Sequence, residues 1–250
     1  GRRMELTPKA ESMRHSVRDI LVRIESTISS DAEFDPARSN RRFRILLSDY
    51  TMTVLMPRAL ALASQEGPNL QFELLPQTGS PDLVIERGEA DVVLAPRMFL
   101  SPDLPSELLF EDGFACVAWS GGRFGARAPS EAEFVEARHV RMVPPTSSTS
   151  FENEFIRARG IERRTDIECY SFAALPALIV GSDRLATVHG LLARTLARAL
   201  PVTLHPLPFE ISTLDEHMQW HPYKSQDPGL RWLRELLRRA AQIMQRELAA

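Results

Sequence analysis

The chain has 250 residues, 44% of them hydrophobic, and its 30 Lys and Arg against 33 Asp and Glu leave a formal net charge of -3. Such a length and apolar share are ample for a buried core, and the near-balance of charge excludes an overall electrostatic footprint for nucleic acid. No apolar run approaches the ~18 residues that span a bilayer, and Gly-Arg-Arg-Met-Glu-Leu-Thr-Pro at the start has no apolar signal-peptide core. Neither membrane insertion nor secretion is expected. Cys116 and Cys169 lie among apolar residues in strand-like segments, as buried thiols in a reducing cytoplasm would.

In chain order, Thr7-Pro8 is a helix start, with a hydroxyl cap and a proline at the first helical position. A helix is predicted to about Ser29, within a linker or dimerisation segment 5–30. Met13, Val17, Ile20, Leu21, Ile24 and Ile28 draw one narrow apolar stripe along it. Residues 31–42 are polar, contain Asp35-Pro36, and form a linker. The stripe therefore pairs with another chain in a coiled-coil manner, or else packs on its own domain.

From Phe43 short β-like runs alternate with helical ones. Strands are predicted over 43–47, 70–76 and 90–95, with helices over 53–64 and 82–87. Residues 108–119 form two short strands broken at Glu111-Asp112-Gly113, followed by the turn Ser120-Gly121-Gly122. A second set follows: helices over 130–136, 151–159, 172–181 and 189–199, and strands over 139–143, 165–170, 184–188 and 202–205. After Pro206 and Pro208 come a strand over 214–220 and an amphipathic helix from Pro228 to about Glu247. The alternation implies parallel sheets covered by helices, an α/β protein of two Rossmann-like sub-domains with a cleft between them. The boundaries are drawn at 43–120 with 207–250 for the first and 121–206 for the second, with crossovers near 119–121 and 205–208.

Leu6-Thr7-Pro8-Lys9-Ala10-Glu11 resembles the junction between the DNA-reading winged helix-turn-helix and the dimerising linker helix of LysR-type transcription regulators. Phe34-Asp35-Pro36-Ala37-Arg38-Ser39-Asn40-Arg41-Arg42-Phe43 is similar to the entry of the effector domain in the NodD-like branch, which includes nodulation regulators. Ser48-Asp49-Tyr50, Phe72-Glu73-Leu74-Leu75-Pro76, Glu86-Arg87-Gly88-Glu89-Ala90-Asp91, Gly181-Ser182-Asp183-Arg184 and Asp227-Pro228-Gly229-Leu230-Arg231-Trp232 continue the likeness in order along the chain. The resemblance implies a two-lobed, type 2 periplasmic-binding-protein-like effector domain behind its linker helix. It implies a small aromatic, phenolic or flavonoid-like inducer and self-association as a dimer or tetramer. Promoter DNA would be contacted only through the winged head, which has no room before Thr7.

A cleft between two α/β lobes is lined by the carboxyl ends of strands and the amino ends of the helices that follow, where free backbone amides collect. Ser48, Asp49 and Thr51 open one such helix, although Ser48 and Asp49 have a second reading as helix caps alone. Asp49 facing the cleft would disfavour a carboxylate ligand unless Arg97, next to Pro96 after a strand, offsets it. Arg97 is equally readable as a surface cation. The hydroxyl run containing Thr146 and Ser148 offers donors to a polar ligand group, or only caps a helix. Phe172 and Trp220 would sandwich a ring, unless they are core. Thr187, His189 and His221 end strands near the same place, His189 as a partner for a phenol or as a helix cap.

His217 and His221 have no third ligand spaced nearby, so no metal is expected, nor any cofactor. There is no Gly-x-Ser-x-Gly elbow, phosphate loop or Gly-x-Gly-x-x-Gly opening a helix, and no catalysis is expected. Arg231, Arg234, Arg238, Arg239 and Arg246 are the solvated side of the last helix rather than a nucleic-acid face. The alternative to a regulator is a periplasmic-type solute-binding protein, which shares the two-lobed architecture; the absent signal peptide and the striped first helix count against it.

Overall fold

The computed structural model describes residues 7, 9, 10, 13, 17, 20, 24, 33–77, 80–145 and 149–249. Within the first segment, residues 9, 10, 13, 17, 20 and 24 are helical, and Thr7 caps the start by accepting the Ala10 amide at 3.1 Å. Met13, Val17, Ile20 and Ile24 are 46, 45, 56 and 50% exposed. Leu21 and Ile28 lie outside the described residues.

Lobe I is built on strands β1 (Arg42–Leu47), β2 (Gln71–Pro76), β3 (Val92–Pro96), β4 (Ser106–Asp112) and β10 (Leu214–Gln219), in the order β2-β1-β3-β10-β4. Lobe II holds β5 (Phe114–Trp119), β6 (Arg138–Met142), β7 (Arg164–Cys169), β8 (Leu185–His189) and β9 (Val202–His205), in the order β7-β6-β8-β5-β9. Continuous apolar runs make the central strands: Val92 to Ala95 and Leu185 to Val188 are buried throughout, as a strand covered on both faces requires.

Both sheets are mixed, not parallel as the alternation predicts. β10 runs antiparallel to β3 and β4, and β5 antiparallel to β8 and β9. These are the strands that enter a sheet from the other lobe, so no helical crossover sets their direction. For the same reason the first crossover falls at Gly113 and not at 119–121: β4 ends in lobe I at Asp112, and β5 begins in lobe II at Phe114. The second crossover runs through 206–213.

The helices are α1 (Asp49–Val54), α2 (Met56–Glu66), α3 (Pro81–Glu86), α4 (Glu131–Glu136), α5 (Phe151–Ala158), α6 (Leu175–Leu178), α7 (Gly190–Ala197) and α8 (Pro228–Ala249). The predicted helix 172–181 contracts to α6, because the Ala173 and Ala174 amides are taken by the side chains of Asp49 and Ser171 and Gly181 closes the segment at φ +79°. Helix α8 starts on Asp227, which accepts the Leu230 amide at 2.9 Å and a two-pronged bond from Arg41 at 2.6 and 3.0 Å. Its three-four spacing buries Leu230, Leu233, Leu236, Leu237, Ala240 and Met244 against α2 and β4. On its polar side Arg238 and Arg239 are held by Glu107 and Glu66 of the same domain. Cys116 is buried, which pushes its thiol up to about 12, and Cys169 is half-buried; both are free thiols.

Candidate functional site

The carboxyl ends of β1, β3, β6, β7 and β8 converge on a cavity of about 880 Å³ between the lobes. Of the sequence-predicted residues, Ser48, Asp49, Pro96, Phe172 and His189 line it. Thr146 and Ser148 lie outside the described residues. The remaining five border other surroundings. Thr51 sits behind the wall, Arg97 opens a single 3-10 turn, and Thr187 is buried and bonded by Arg163 at 3.3 Å. Trp220 packs toward α8, donating to Ser225 at 3.0 Å beneath the Arg234 guanidinium, and His221 caps the turn Pro222–Lys224. For Trp220 the core reading is therefore the one the contacts favour.

Ser48 is both cap and wall. Its hydroxyl accepts the Thr51 amide at 3.1 Å and lies 3.0 Å from the Thr51 hydroxyl. Asp49, in the first turn of α1, reaches across the cleft: its Oδ2 accepts the Ser171 hydroxyl at 2.6 Å and the Ala173 amide at 3.0 Å in lobe II. The carboxylate is thus engaged by lobe II donors, and no Arg97 contact offsets it.

Tyr50 is the residue that composition and spacing did not single out. Its ring stacks on the His189 ring, centroids 3.9 Å apart at 10°, and Phe172 stands edge-on to the same imidazole at 4.5 Å and 81°. Burial drives His189 down to about 3, so the imidazole is neutral. The Tyr50 hydroxyl donates to Asp112 Oδ2 at 2.7 Å, and Asp112 also accepts the Leu191 amide at the start of α7 in lobe II. This is a second tie between the lobes. Burial pushes Asp112 up to about 6, against the hydrogen bonds from Tyr50 and Leu191 that favour its charge. Tyr50 itself is raised well above its ordinary value, by burial first and then by Asp112 and Glu216.

Asp112 and Glu216 likewise carry no signal in the local spacing of the cleft residues. Glu216 borders the cavity from β10, is 1% exposed, and accepts the Thr51 hydroxyl at 2.6 Å. Its signal is in the strand pattern: Leu214, Glu216 and Met218 alternate onto one buried face, and a carboxylate in an apolar alternation is costly unless it has a role. Burial pushes it up to about 7, the Thr51 bond working against this and Asp112 adding to it. Phe99, Phe151 and Tyr170 complete an aromatic enclosure, with Tyr170 79% exposed at the rim. The described lining carries the carboxyl groups of Asp49, Asp82, Asp103 and Glu216 and no Lys or Arg. Among the described residues no group of three or more His, Cys, Asp or Glu is placed to hold a metal ion, and no helix is long and apolar enough to cross a membrane.

The model of the LysR substrate binding domain matches residues 36–242. Nodulation protein D 1 of Mesorhizobium japonicum is 34% identical over 245 residues, covering 98% of this chain and 78% of that protein. Nodulation protein D 2 of Bradyrhizobium diazoefficiens is 35% identical over 238 residues, 95% of this chain and 72% of its own length. Among solved structures, a probable transcriptional regulator from Pseudomonas aeruginosa superposes with a TM-score of 0.78 at 23% identity over 95% of this chain and 79% of that one. The regulatory domain of MexT, a transcriptional activator in Pseudomonas aeruginosa, gives 0.70 at 22% identity over 82% of this chain and 100% of that one. At these identities the structures speak for the two-lobed fold, and the sequence matches for the family. The chain belongs to the LysR substrate-binding-domain family, as the regulatory, effector-binding part of a LysR-type transcription regulator related to the nodulation D proteins.

Proposed function

We propose that the interlobe cavity is the inducer site of this cytoplasmic regulator, and that its ligand is a small neutral aromatic, phenolic or flavonoid-like. The observation that carries this is the lining: Tyr50, Phe99, Phe151, Tyr170 and Phe172 surround about 880 Å³, a volume typical of small-molecule sites. Their carboxyl-bearing neighbours with no facing cation disfavour a carboxylate ligand. Asp49 and Asp112 tie the lobes together beside the same space, so a ligand that fits one lobe arrangement better than another shifts the balance between them by its differential affinity. The exposed stripe of Met13, Val17, Ile20 and Ile24, extended in sequence by Leu21 and Ile28, supports pairing with a second copy of the chain, through which that shift alters the oligomer. Promoter DNA is contacted by a winged head ahead of this helix in the intact regulator.

Thermal unfolding against flavonoids, simple phenols, aromatic acids and amino acids tests the ligand class. A bound member at ~100 times its dissociation constant adds about 2.7 kcal/mol. Stabilisation by neutral aromatics and not by aromatic acids is the expected result; a response confined to aromatic acids or amino acids would refute it. Charging the stripe with Ile20→Glu and Ile24→Glu is expected to lower the mass found by light scattering, and an unchanged mass would remove the linker helix from the interface.

A further inference from the structure

One carboxyl on the cavity wall is bonded on one side only. Glu216 spends one oxygen on Thr51, while Oε2 is buried with no hydrogen-bond partner among the described residues. Among the described residues that line the cavity with it there is no Lys or Arg. Helix α1 presents Asp49, Tyr50 and Thr51, β4 presents Asp112, and β3 meets it through Ala95 and Pro96. From β8 comes His189, which is neutral. On β10 itself Asp215 and His217 alternate toward the other face of the strand. Arg97 acts on His217 and Arg194 on Asp112.

We propose that occupancy of the cavity is coupled to protonation of Glu216, so that a neutral aromatic ligand binds the acid form best and takes up one proton as it seats. This rests on the aromatic-ligand reading of the same cavity. A ring seated between the lobes displaces water from a carboxyl already without a cation, and loss of water disfavours its charged form. In the empty site that carboxyl stands at about 7, and the ligand moves it higher. A group whose bound value exceeds its free value binds ligand fully below the free value. Affinity then declines as pH rises through about 7 and levels off above the bound value, with a slope of at most tenfold per pH unit. The network adjoining Glu216 contains both lobe ties, Asp49 and Tyr50-Asp112-Leu191, so the proton is placed where the lobe arrangement is decided.

Flavone, which has no titratable group, isolates the protein's contribution. Calorimetric titration from pH 5.5 to 8.5, in buffer pairs of different ionisation heat, is expected to show an affinity loss of roughly tenfold between pH 6 and 8 with proton uptake on binding. Both signs are expected to vanish in Glu216→Gln, which keeps the side-chain shape. In the unsubstituted protein the Glu216 carboxyl 13C signal, titrated with and without flavone, is expected to move its midpoint upward on binding, and this readout needs no variant to fold. Flavone binding that is independent of pH or strengthens as pH rises, a pH dependence that persists in Glu216→Gln, or an unmoved midpoint overturns the coupling and leaves the aromatic site standing. Failure of flavone to bind at any pH overturns the aromatic reading and the coupling together.

Discussion

Lobe I buries a carboxyl at each end of one sheet and treats the two in opposite ways. At the amino end of β3, Asp91 takes the Lys224 ammonium at 2.8 Å and the Arg44 amide at 2.9 Å, both ion-pair partners being almost fully buried. Burial pushes the Asp91 carboxyl up, but Lys224 and the Arg44 amide outweigh it, and the group lies below its ordinary value. At the carboxyl end, Glu216 stands opposite Pro96 with Asp112 nearby, no cation and one idle oxygen, and lies well above its ordinary value. The same fold completes a polar network at one end of the sheet and leaves one open at the end that borders the interlobe cavity. Glu216 shares that state with the Nδ1 of His189, so two unpartnered buried polar atoms belong to residues that border the cavity proposed for the ligand.

The contrast can be broken from either side. Lys224→Met strands Asp91 in the core and is expected to cost about 3–5 kcal/mol in denaturant unfolding, with part recovered when Asp91→Asn is added. Glu216→Gln should do the reverse. Because the native carboxyl is raised to about 7, the folded state loses stability as pH climbs from the unfolded value toward 7, so the variant is expected to be more stable than the parent at pH 8, on the order of 3 kcal/mol, with the gap closing by pH 5. Equal unfolding at both pH values would remove Glu216 from the titrating set. Asp49→Ala deletes two charge-assisted bonds across the cleft and is expected to cost about 2 kcal/mol and to enlarge the radius of gyration of the ligand-free domain in X-ray scattering. Smallest, Trp220→Phe removes one indole bond to Ser225, about 1 kcal/mol in thermal unfolding, and leaves flavone affinity unchanged if Trp220 is core alone.

Much of this was readable in the chain. The period of the apolar residues located α8 and the apolar runs located β3 and β8, because each element buries a whole face or both faces and says so locally. Ser48 and Asp49 were found by the rule that strand ends and helix starts line a cleft. Strand direction was not readable, since β5 and β10 owe theirs to the lobe they left, a property of residues far away along the chain. Tyr50, Asp112 and Glu216 were missed for a related reason: their partners are 62 and 165 residues distant, and no local spacing announces such a meeting. The one local clue is a glutamate on the apolar face of β10. Trp220 and His221 were placed by strand end alone, which ignores that the chain turns away into Pro222–Lys224 immediately afterwards.

The two crossovers differ in length, one residue at Gly113 and eight at 206–213. A joint one residue long fixes the end of β4 against the start of β5, so the strands cannot slide apart there, whereas eight residues leave that freedom at the second crossing. The joint is stitched by the Gly190 amide to the Gly113 carbonyl at 2.8 Å and by the Leu191 amide to Asp112. The lobes that this joint holds together bring Met98 and Phe99 from one side and Tyr170 from the other to the same cavity.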